Sequence, residues 1–240
     1  MKILREEYKY FINSADLIYL RSNLRKIMKI DQNVKSNDKY TITSLYFDTF
    51  RLDDFTQKLN GIKDRKKYRV RIYNQKYDHI KFECKRKSNY FIKKESTNIS
   101  LEEAKEICNS NYTSLIDKKQ PFFAQKSYID LVSNQYRPRV IVEYDREAYL
   151  LKNHNTRITF DHDLRTFNHH VDLFNLKNYK HSVNFDNLII LEVKFNKYFP
   201  SFLTSLLSNT AAKKFAISKY VYASQIINHN PYEDKVFNTF

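Results

Sequence analysis

Alternation of side chains along several segments is the feature that most constrains the fold of this chain. In the segment DRKKYRVRIY, every second residue is a cation, and most of the residues between the cations are apolar. Successive side chains of a β-strand point to opposite faces, so the segment predicts a strand with one cationic face and one largely apolar face. The cationic face carries Arg65, Lys67, Arg69 and Arg71. The opposite face carries Lys66, Tyr68, Val70 and Ile72.

Three further segments repeat this alternation. Their charged faces hold Lys81, Glu83, Lys85 and Lys87 in the first, Arg5, Glu7 and Lys9 in the second, and Glu192 and Lys194 in the third. Exposed strands usually mix Lys with Glu, Thr and Ser, whereas consecutive cations on one face repel one another unless an anion is present. The pattern therefore favours an enclosed basic surface that collects anions. The alternative is that each charged face is simply solvated.

Composition narrows the choice of anion. Lys and Arg number 42 against 27 Asp and Glu, which gives a net charge of +15 and points to nucleic acid, phosphorylated molecules, polyphosphate or a membrane surface. A single glycine excludes glycine-rich phosphate loops, which need several glycines to bring backbone amides against phosphate. Side chains must therefore hold any phosphate.

Periodicity predicts an α+β protein with an antiparallel sheet or barrel of about eight strands and helices packed outside. Strands are predicted at residues 4–12, 40–48, 64–73, 79–87, 89–95, 122–132, 138–149, 156–161 and 188–196. Helices are predicted after Ser14, after Ser100 with a capping box to Glu103, and from about Thr210 with Phe215, Val221 and Ile226 on its apolar side. Pro200 is expected to open a short helix. No linker or repeat is visible, so residues 1–240 are expected to form a single domain.

The chain is expected to be cytoplasmic. It has no apolar run of about 18 residues, which a membrane span needs, and no targeting segment. Its two cysteines are too few for a disulfide scaffold or a cysteine zinc site, and Cys84 falls on an apolar face, where burial keeps a thiol inert. His169 and His170 with Asp172 are expected to form a surface loop rather than a metal site.

Nine segments together resemble a known family. They are REEYKYF, SLYFDT, GIKDRKKYRVRIY, FECKRK, FIKKES, RPRVIVEYDREAY, TRITFD, LEVKF and SKYVYA, which extend from Arg5 to about Tyr222. In order and spacing they resemble the polyphosphate polymerase domain of vacuolar transporter chaperone proteins, within the triphosphate tunnel (CYTH-like) superfamily. The resemblance implies an antiparallel tunnel in which inward-facing Arg and Lys hold a triphosphate or polyphosphate chain and acidic residues hold a divalent metal, Mn²⁺ or Mg²⁺.

The resemblance also implies residue roles. Family phosphate ligands fall on Lys9, Arg69, Arg71, Lys85, Lys93, Arg146, Arg157 and Lys219, and the metal ligand falls on Glu192. Strand parity adds Arg5, Lys67, Lys81 and Lys194 as further phosphate-binding cations and Glu83 and Glu7 as further metal ligands. The alternative for these two acids is that they only offset the repulsion among the cations. Asp48 and Asp161 are expected to be structural acids at strand ends, and Tyr144 is expected to be a core residue or to support Arg146. Where the family often has a second lysine, this chain has Ala216, which leaves Lys213 or Lys214 to substitute for it.

The function that the resemblance implies is ATP-dependent polyphosphate polymerisation, with ATP and polyphosphate as partners, no nucleic acid and no membrane segment in this chain. One alternative is a hydrolase of triphosphates, polyphosphates or nucleoside triphosphates in the same superfamily. Such enzymes usually open with an E-x-E-x-K strand, and here Arg5 stands at its first acidic position. The other alternative is a non-catalytic module that binds polyphosphate or RNA.

Overall fold

A computed structural model describes residues 5–31, 39–89, 91–151, 155–168, 172–176, 181–182, 189–196 and 198–228. The strands are β1 (Arg5–Ile12), β2 (Lys29–Ile30), β3 (Tyr40–Asp48), β4 (Arg65–Tyr73), β5 (Lys76–Ser88), β6 (Phe91–Ile99), β7 (Arg137–Leu151), β8 (Thr156–Asn168), β9 (His181–Ser182), β10 (Ile189–Asn196) and β11 (Lys213–Lys214). The α-helices are α1 (Ser14–Ile27), α2 (Asp53–Leu59), α3 (Leu101–Cys108), α4 (Phe122–Ser133), α5 (Ser201–Ser208) and α6 (Lys219–Asn228), and a 3-10 helix spans Thr113–Ile116.

The strands hydrogen-bond in the order β11-β1-β10-β8-β7-β3-β4-β5-β6, with β2 also paired to β7 and β9 to β8. The α+β class and the antiparallel sheet are confirmed, as the registers of β1 with β10, β4 with β5 and β5 with β6 show. The sheet contains more strands than predicted because β2, β9 and β11, of two residues each, are too short to show alternation. Among the described residues, no backbone pairing joins β11 to β6, so the order is an open path.

The chain forms two compact units. Unit 1 takes its residues from Met1–Ile42, Tyr144–Leu164 and Asn184–Ile217, and unit 2 from Thr43–Glu143, Arg165–Val183 and Ser218–Phe240.

The core of unit 1 contains the apolar faces of β1, β8 and β10 together with α1 and α5. Asn13 caps α1 by accepting a hydrogen bond from the Asp16 amide at 2.8 Å, one residue before the predicted cap at Ser14. Leu17, Leu20 and Leu24 then recur at helical spacing and are buried. The helix buries this stripe against strand residues of the same cluster, among them Ile158, Phe160, Leu191, Val193 and Phe195.

The core of unit 2 contains the predicted apolar faces of β4 and β5. The buried residues there are Tyr68, Val70, Ile72, Ile80, Phe82 and Cys84. Lys66 shares this face and reaches the Asp130 carboxylate of α4, with its Nζ 2.5 Å and 2.6 Å from the two oxygens. The capping box of α3 is confirmed, since the Ser100 hydroxyl accepts from the Glu103 amide at 3.1 Å and the Glu103 carboxylate accepts from the Ser100 amide at 2.7 Å.

Two predicted elements were wrong. Residues 122–132 form helix α4 rather than a strand, because Ala124, Ser127 and Leu131 are buried at intervals of three and four residues, which is the helical period. The helix predicted from Thr210 begins only at Lys219, because the preceding segment is extended and the Phe215 amide donates to the Lys9 carbonyl at 3.0 Å. The short helix after Pro200 is confirmed as α5, while α2 was not predicted.

Left-handed turns are built almost without glycine. Gly61 has a φ of 68°, and the other positive φ angles among the described residues belong to Leu52, Asn74, Gln75, Asn89, Ser110, Gln135, Asn155 and Asp163. Asn74 and Gln75 link Tyr73 to its cross-strand partner Lys76 and have φ angles of 51° and 52°, the sign that a type I′ hairpin turn requires. Asn tolerates this region better than most residues because its short amide hydrogen-bonds locally. No helix among the described residues is long and apolar enough to cross a membrane.

Candidate functional site

A row of cations crosses β4 and β5 in unit 2, as the alternation predicts. In the antiparallel register Lys67 lies opposite Lys85, Arg69 opposite Glu83 and Arg71 opposite Lys81, so these side chains share one face of the two strands. On the adjacent strand β6, Lys94 lies opposite Lys85 and Ser96 opposite Glu83. We call this surface the basic face and define it by Lys67, Arg69, Arg71, Lys81, Glu83, Lys85 and Lys94.

Glu83 holds three cations of the basic face in place. Its Oε2 lies 2.5 Å from Arg69 Nε and 3.7 Å from Arg71 Nη1, and its Oε1 lies 2.5 Å from Lys94 Nζ. The residue is only 1% exposed, and burial alone would raise its pKa, but the surrounding cations hold the pKa of Glu83 well below its usual range. Glu83 therefore stays ionised and offsets the repulsion among the cations.

Lys94 belongs to the basic face, and Lys93 does not. Lys93 lies opposite Arg86, on the other face of β5 and β6, where its side chain is 71% exposed and pairs with Glu95 at 2.7 Å. Desolvation, together with the positive charge of Arg69, lowers the pKa of Lys94 to about 8 despite its contact with Glu83. The structure thus places Lys93 apart from the other predicted phosphate ligands. The two lysines are adjacent in sequence and therefore point to opposite faces of β6, and the register of β6 with β5 determines which of them shares the face of Arg69.

Side chains of β3 and α6 support the same face. Arg69 Nη1 donates to the Tyr46 hydroxyl at 2.9 Å, and Arg71 Nε donates to the Ser44 hydroxyl at 3.1 Å. Lys67 Nζ donates to the Ser218 hydroxyl at 3.0 Å and lies 4.6 Å from the centre of the Tyr220 ring. Lys219, a predicted ligand, is buried beside Tyr220 at the start of α6. No motif in the sequence pointed to Ser44 or Tyr46 as partners of the arginines.

Asp48 has the structural role that the sequence predicts. Its carboxylate accepts hydrogen bonds from the backbone amides of Thr49, Asp54 and Phe55 at 2.8, 3.0 and 3.0 Å, which satisfies the free amides where α2 begins. The Tyr220 hydroxyl donates to the same carboxylate. Asp48 therefore ties α2 and α6 to the end of β3, and α6 carries Lys219.

Unit 1 contains a second group of charges, centred on Glu192. Its Oε1 lies 3.2 Å from Lys9 Nζ, and its Oε2 lies 3.4 Å from both Lys194 Nζ and Arg146 Nη2. Lys9 also lies 3.3 Å from Glu7. These contacts follow from the pairing of β1 with β10, which places Lys9 opposite Glu192 and Glu7 opposite Lys194. We call this group the Glu192 cluster, consisting of Glu7, Lys9, Arg146, Asp161, Glu192 and Lys194.

Arg146 is fixed from several sides. Asp161, which is buried, accepts from Arg146 Nε at 2.6 Å and from Nη2 at 2.7 Å. The Tyr144 ring lies 5.3 Å from the guanidinium carbon. Burial opposes the charge, but Asp161, Tyr144 and Glu192 raise the pKa of Arg146 well above its usual value. Tyr144 is buried beside Arg146, in keeping with the prediction of a core or supporting residue, and the structural role predicted for Asp161 consists in holding Arg146.

The remaining candidates of unit 1 occupy separate places. Arg157 Nη2 lies 2.8 Å from Asp31 and donates to the Tyr40 hydroxyl at 3.0 Å, while its backbone pairs with Lys194. Arg5 lies opposite Asn196 at the start of β1, and its side chain falls outside the described part of the chain.

The two candidate substitutes for the missing family lysine form β11, and their pairing with β1 places them on opposite faces of the sheet. Lys214 places its ammonium 3.2 Å from the centre of the Tyr8 ring, on the face opposite Lys9. Lys213 is exposed and pairs with Phe11, which shares the Lys9 face. Of the two, Lys213 is thus the one on the Lys9 side, while Ala216 carries no charge.

The three predicted metal ligands are not equivalent. Glu7 and Glu192 both belong to unit 1 and contact the same ammonium of Lys9, whereas Glu83 belongs to unit 2 and is paired with three cations. No set of three or more His, Cys, Asp or Glu side chains within the described ranges could hold a metal by itself. Mg²⁺ is usually bound by one or two carboxylates plus substrate phosphates, and Glu192 with Glu7 fits that pattern. Glu83 does not fit it.

The predicted histidine loop is described only in part. His169 and His170 lie outside the described residues. Asp172 is exposed and accepts from the Phe174 amide at 2.8 Å, as in a surface turn.

Several solved structures are similar to the chain at low sequence identity. They include a protein from Bacillus halodurans proposed to be an adenylate cyclase (14% identity, TM-score 0.49, covering 86% of this chain and 88% of that one). The PH1819 protein from Pyrococcus horikoshii OT3 gives 12% identity, a TM-score of 0.47 and coverage of 93% and 98%. The mimivirus capping enzyme triphosphatase gives 14% identity, a TM-score of 0.42 and coverage of 86% and 88%. Similarities at this level do not decide an activity.

The sequence itself gives the decisive comparison. No curated protein matches the chain. The family model of the VTC domain, however, matches residues 4–228, which include β1, β4, β5, β10 and α6 with all of the charged side chains described above. This chain therefore belongs to the VTC domain family.

Proposed function

We propose that this chain is an ATP-dependent polyphosphate polymerase that works with a divalent metal, Mn²⁺ or Mg²⁺. The observation that carries the proposal is the basic face of a VTC domain, in which Arg69, Arg71 and Lys94 are held around one buried carboxylate. Because the cations are already positioned, they gain contacts with phosphate oxygens at little cost in side-chain entropy. A polyanion is the ligand that this arrangement fits best.

The proposed reaction extends a polyphosphate chain by one unit. A terminal oxygen of the chain attacks the γ-phosphorus of ATP, the bond from that phosphorus to the β,γ-bridging oxygen breaks, and ADP leaves with the electron pair. The protein contributes position and charge neutralisation, which phosphoryl transfer chiefly requires. Arg69 and Arg71 suit phosphate oxygens through their forked donors, and Lys67, Lys85, Lys94 and Lys219 act as point charges.

Glu192, with Glu7, is the proposed place for the metal. A divalent cation held there would supply positive charge to offset the charge on the phosphates and on the leaving group. Lys9 contacts both carboxylates and holds them together, and Arg146 and Lys194 hold the second oxygen of Glu192. Asp161 keeps Arg146 directed toward that oxygen.

The test is to incubate the purified protein with ATP and Mn²⁺ and to measure long-chain polyphosphate, free phosphate and ADP separately. Polyphosphate formed together with ADP is expected. Arg69→Ala and Glu192→Gln should each abolish the transfer, whereas Lys93→Ala, which removes an exposed lysine of the opposite face, should leave it unchanged. Free phosphate without polymer would instead establish a hydrolase. Phosphate-chain binding without turnover would establish a binding module, and full activity in both active-site variants would refute the residue assignment.

A further inference from the structure

Tyr46 lies beside Arg69 of the basic face and is held there by several contacts. Its hydroxyl accepts from Arg69 Nη1 at 2.9 Å, and its ring lies 5.7 Å from the Arg69 guanidinium carbon. The ring also packs against the Tyr220 ring, with 5.2 Å between the centres and an angle of 31°. Tyr46 is 7% exposed, so the phenol is nearly enclosed. Neither the proposed transfer nor the charge balance of the face uses this residue.

The Tyr46 hydroxyl has a proton to donate and no acceptor for it among the described residues. A phenol has one proton, and an oxygen that accepts from a guanidinium must direct that proton elsewhere. The charged groups acting on the phenol are Arg69 and Arg71 from β4 and Lys219 from α6, and none of these cations can accept a hydrogen bond. The Glu83 carboxylate of the same face is held by Arg69, Arg71 and Lys94.

Other buried tyrosines of unit 2 behave differently. Tyr68, Tyr136 and Tyr220 donate to the carboxylates of Asp130, Asp54 and Asp48, respectively, and burial together with those carboxylates raises their pKa. Burial acts on Tyr46 in the same direction, but Arg69, Arg71 and Lys219 outweigh it and lower the pKa of Tyr46. Tyr46 thus has the environment of a donor to an anion that comes from outside the chain.

We propose that Tyr46 contacts the substrate, with its hydroxyl donating to a non-bridging oxygen of an inorganic polyphosphate chain beside Arg69. The inference rests on the proposed function for the identity of the anion. It adds a neutral donor to a face whose other phosphate-binding groups are cations. Because the donor is neutral, it adds a directed hydrogen bond without adding repulsion among the cations. Deprotonation of the Tyr46 hydroxyl would turn this attraction into repulsion, since a phenolate repels phosphate.

The first test is binding of inorganic tripolyphosphate, measured by calorimetry from pH 7 to pH 10. Tyr46→Phe keeps the ring and removes only the hydroxyl, and it should weaken binding about tenfold at pH 7, as expected for one hydrogen bond to a charged group. Wild-type affinity should then fall more steeply with rising pH than that of the variant. The control is Tyr77→Phe, which removes an exposed hydroxyl that donates to the Phe174 carbonyl away from the basic face. Equal affinity and an equal pH profile in wild type and Tyr46→Phe would overturn the proposal.

The second test needs no variant. Tyrosinate absorbance near neutral and alkaline pH, with the Tyr46 signal assigned by labelling of its Cζ carbon for NMR, gives the pKa of Tyr46 with and without tripolyphosphate. A bound anion that accepts from the hydroxyl stabilises the neutral phenol, so the pKa should rise on binding. An unchanged or lowered pKa would overturn the inference, as would the absence of tripolyphosphate binding. Neither measurement depends on polymer synthesis, so a chain that binds tripolyphosphate through Tyr46 but makes no polymer would contradict only the proposed function.

Discussion

Arg146 and Asp161 form a two-point ion pair, with hydrogen bonds of 2.6 Å and 2.7 Å from one guanidinium to one carboxylate. Both residues are buried, and the same guanidinium reaches Glu192 at 3.4 Å. Asp161 therefore fixes the orientation of Arg146 toward the carboxylate proposed to hold the metal. Two parallel hydrogen bonds specify that orientation more strictly than a single contact does.

Removal of Asp161 should destabilise the chain strongly. Asp161→Ala leaves the buried Arg146 guanidinium with the longer ion pair to Glu192 and the Tyr144 ring contact, and we expect the free energy of unfolding to fall by about 3–5 kcal/mol. Urea denaturation followed by circular dichroism measures this. Asp161→Asn keeps one hydrogen-bond acceptor, and its free energy of unfolding should fall by less. An alanine variant as stable as wild type would show that the ion pair contributes no net stability.

Lys94 and Lys93 should differ in phosphate binding although they are neighbours. Lys94→Ala removes a cation of the basic face, and the affinity for tripolyphosphate should fall about tenfold. Lys93→Ala removes an exposed cation paired with Glu95 on the other face and should change the affinity less than twofold. Calorimetric titration at one ionic strength compares the two. Equal losses would mean that the charge of the region matters and the strand face does not.

Asp54→Asn should stabilise the chain at neutral and alkaline pH. Burial and the nearby Asp48 raise the pKa of Asp54 from 3.8 to about 8, and only one of its oxygens has a partner, the Tyr136 hydroxyl at 3.0 Å. Because the pKa of Asp54 is higher in the folded chain than in the unfolded chain, the contribution of Asp54 to the free energy of unfolding is largest below pH 3.8. That contribution is lost as the pH rises to about 8. Asparagine resembles the protonated form, so the variant should be more stable than wild type at pH 9 by on the order of 3 kcal/mol. Denaturation at pH 4, 7 and 9 tests this, and a constant difference across that range would contradict it.

Glu147 should give the opposite pH dependence. Burial raises its pKa, but hydrogen bonds from His162 and Arg21 outweigh burial and lower the pKa of Glu147 from 4.5 to about 2. Its stabilisation is therefore present above pH 4.5 and is lost as the pH falls toward 2. Glu147→Gln should remove this pH-dependent contribution to the free energy of unfolding, which is on the order of 2 kcal/mol. The readout is the difference between wild type and variant in unfolding free energy from pH 2.5 to 6, and parallel curves would refute the assignment.

Strand parity predicted the part of the site that depends on local geometry. Arg69, Arg71 and Glu83 share a face because alternation and a regular register leave no other arrangement. The apolar faces of β4 and β5 were predicted for the same reason. Asp161 was predicted only as a structural acid at a strand end, and its pairing with Arg146 appears only in the structure.

Other features depend on the tertiary structure. Lys94 was not singled out in the sequence, because which lysine of FIKKES shares the face of Arg69 depends on the pairing of β6 with β5, which the segment itself does not contain. The segment of α4 predicts a strand because Phe, Tyr, Ile and Val favour strands, but packing against the unit 2 core overrides that propensity. Tyr46 lies in the segment SLYFDT, but nothing in that segment assigned it a role, because its hydrogen bonding becomes visible only in the folded chain.

The scarcity of glycine at left-handed turns has a consequence for the denatured chain. Residues such as Asn74 and Asn89 restrict the unfolded backbone more than glycine does, so less conformational entropy is lost when the turns form. In the folded state each of these positions carries a steric cost on the order of 1 kcal/mol, which glycine would not have. The two effects oppose each other. The stability of the β4–β5 hairpin therefore depends in part on the conformational freedom of the unfolded chain, in which none of the hairpin contacts exist.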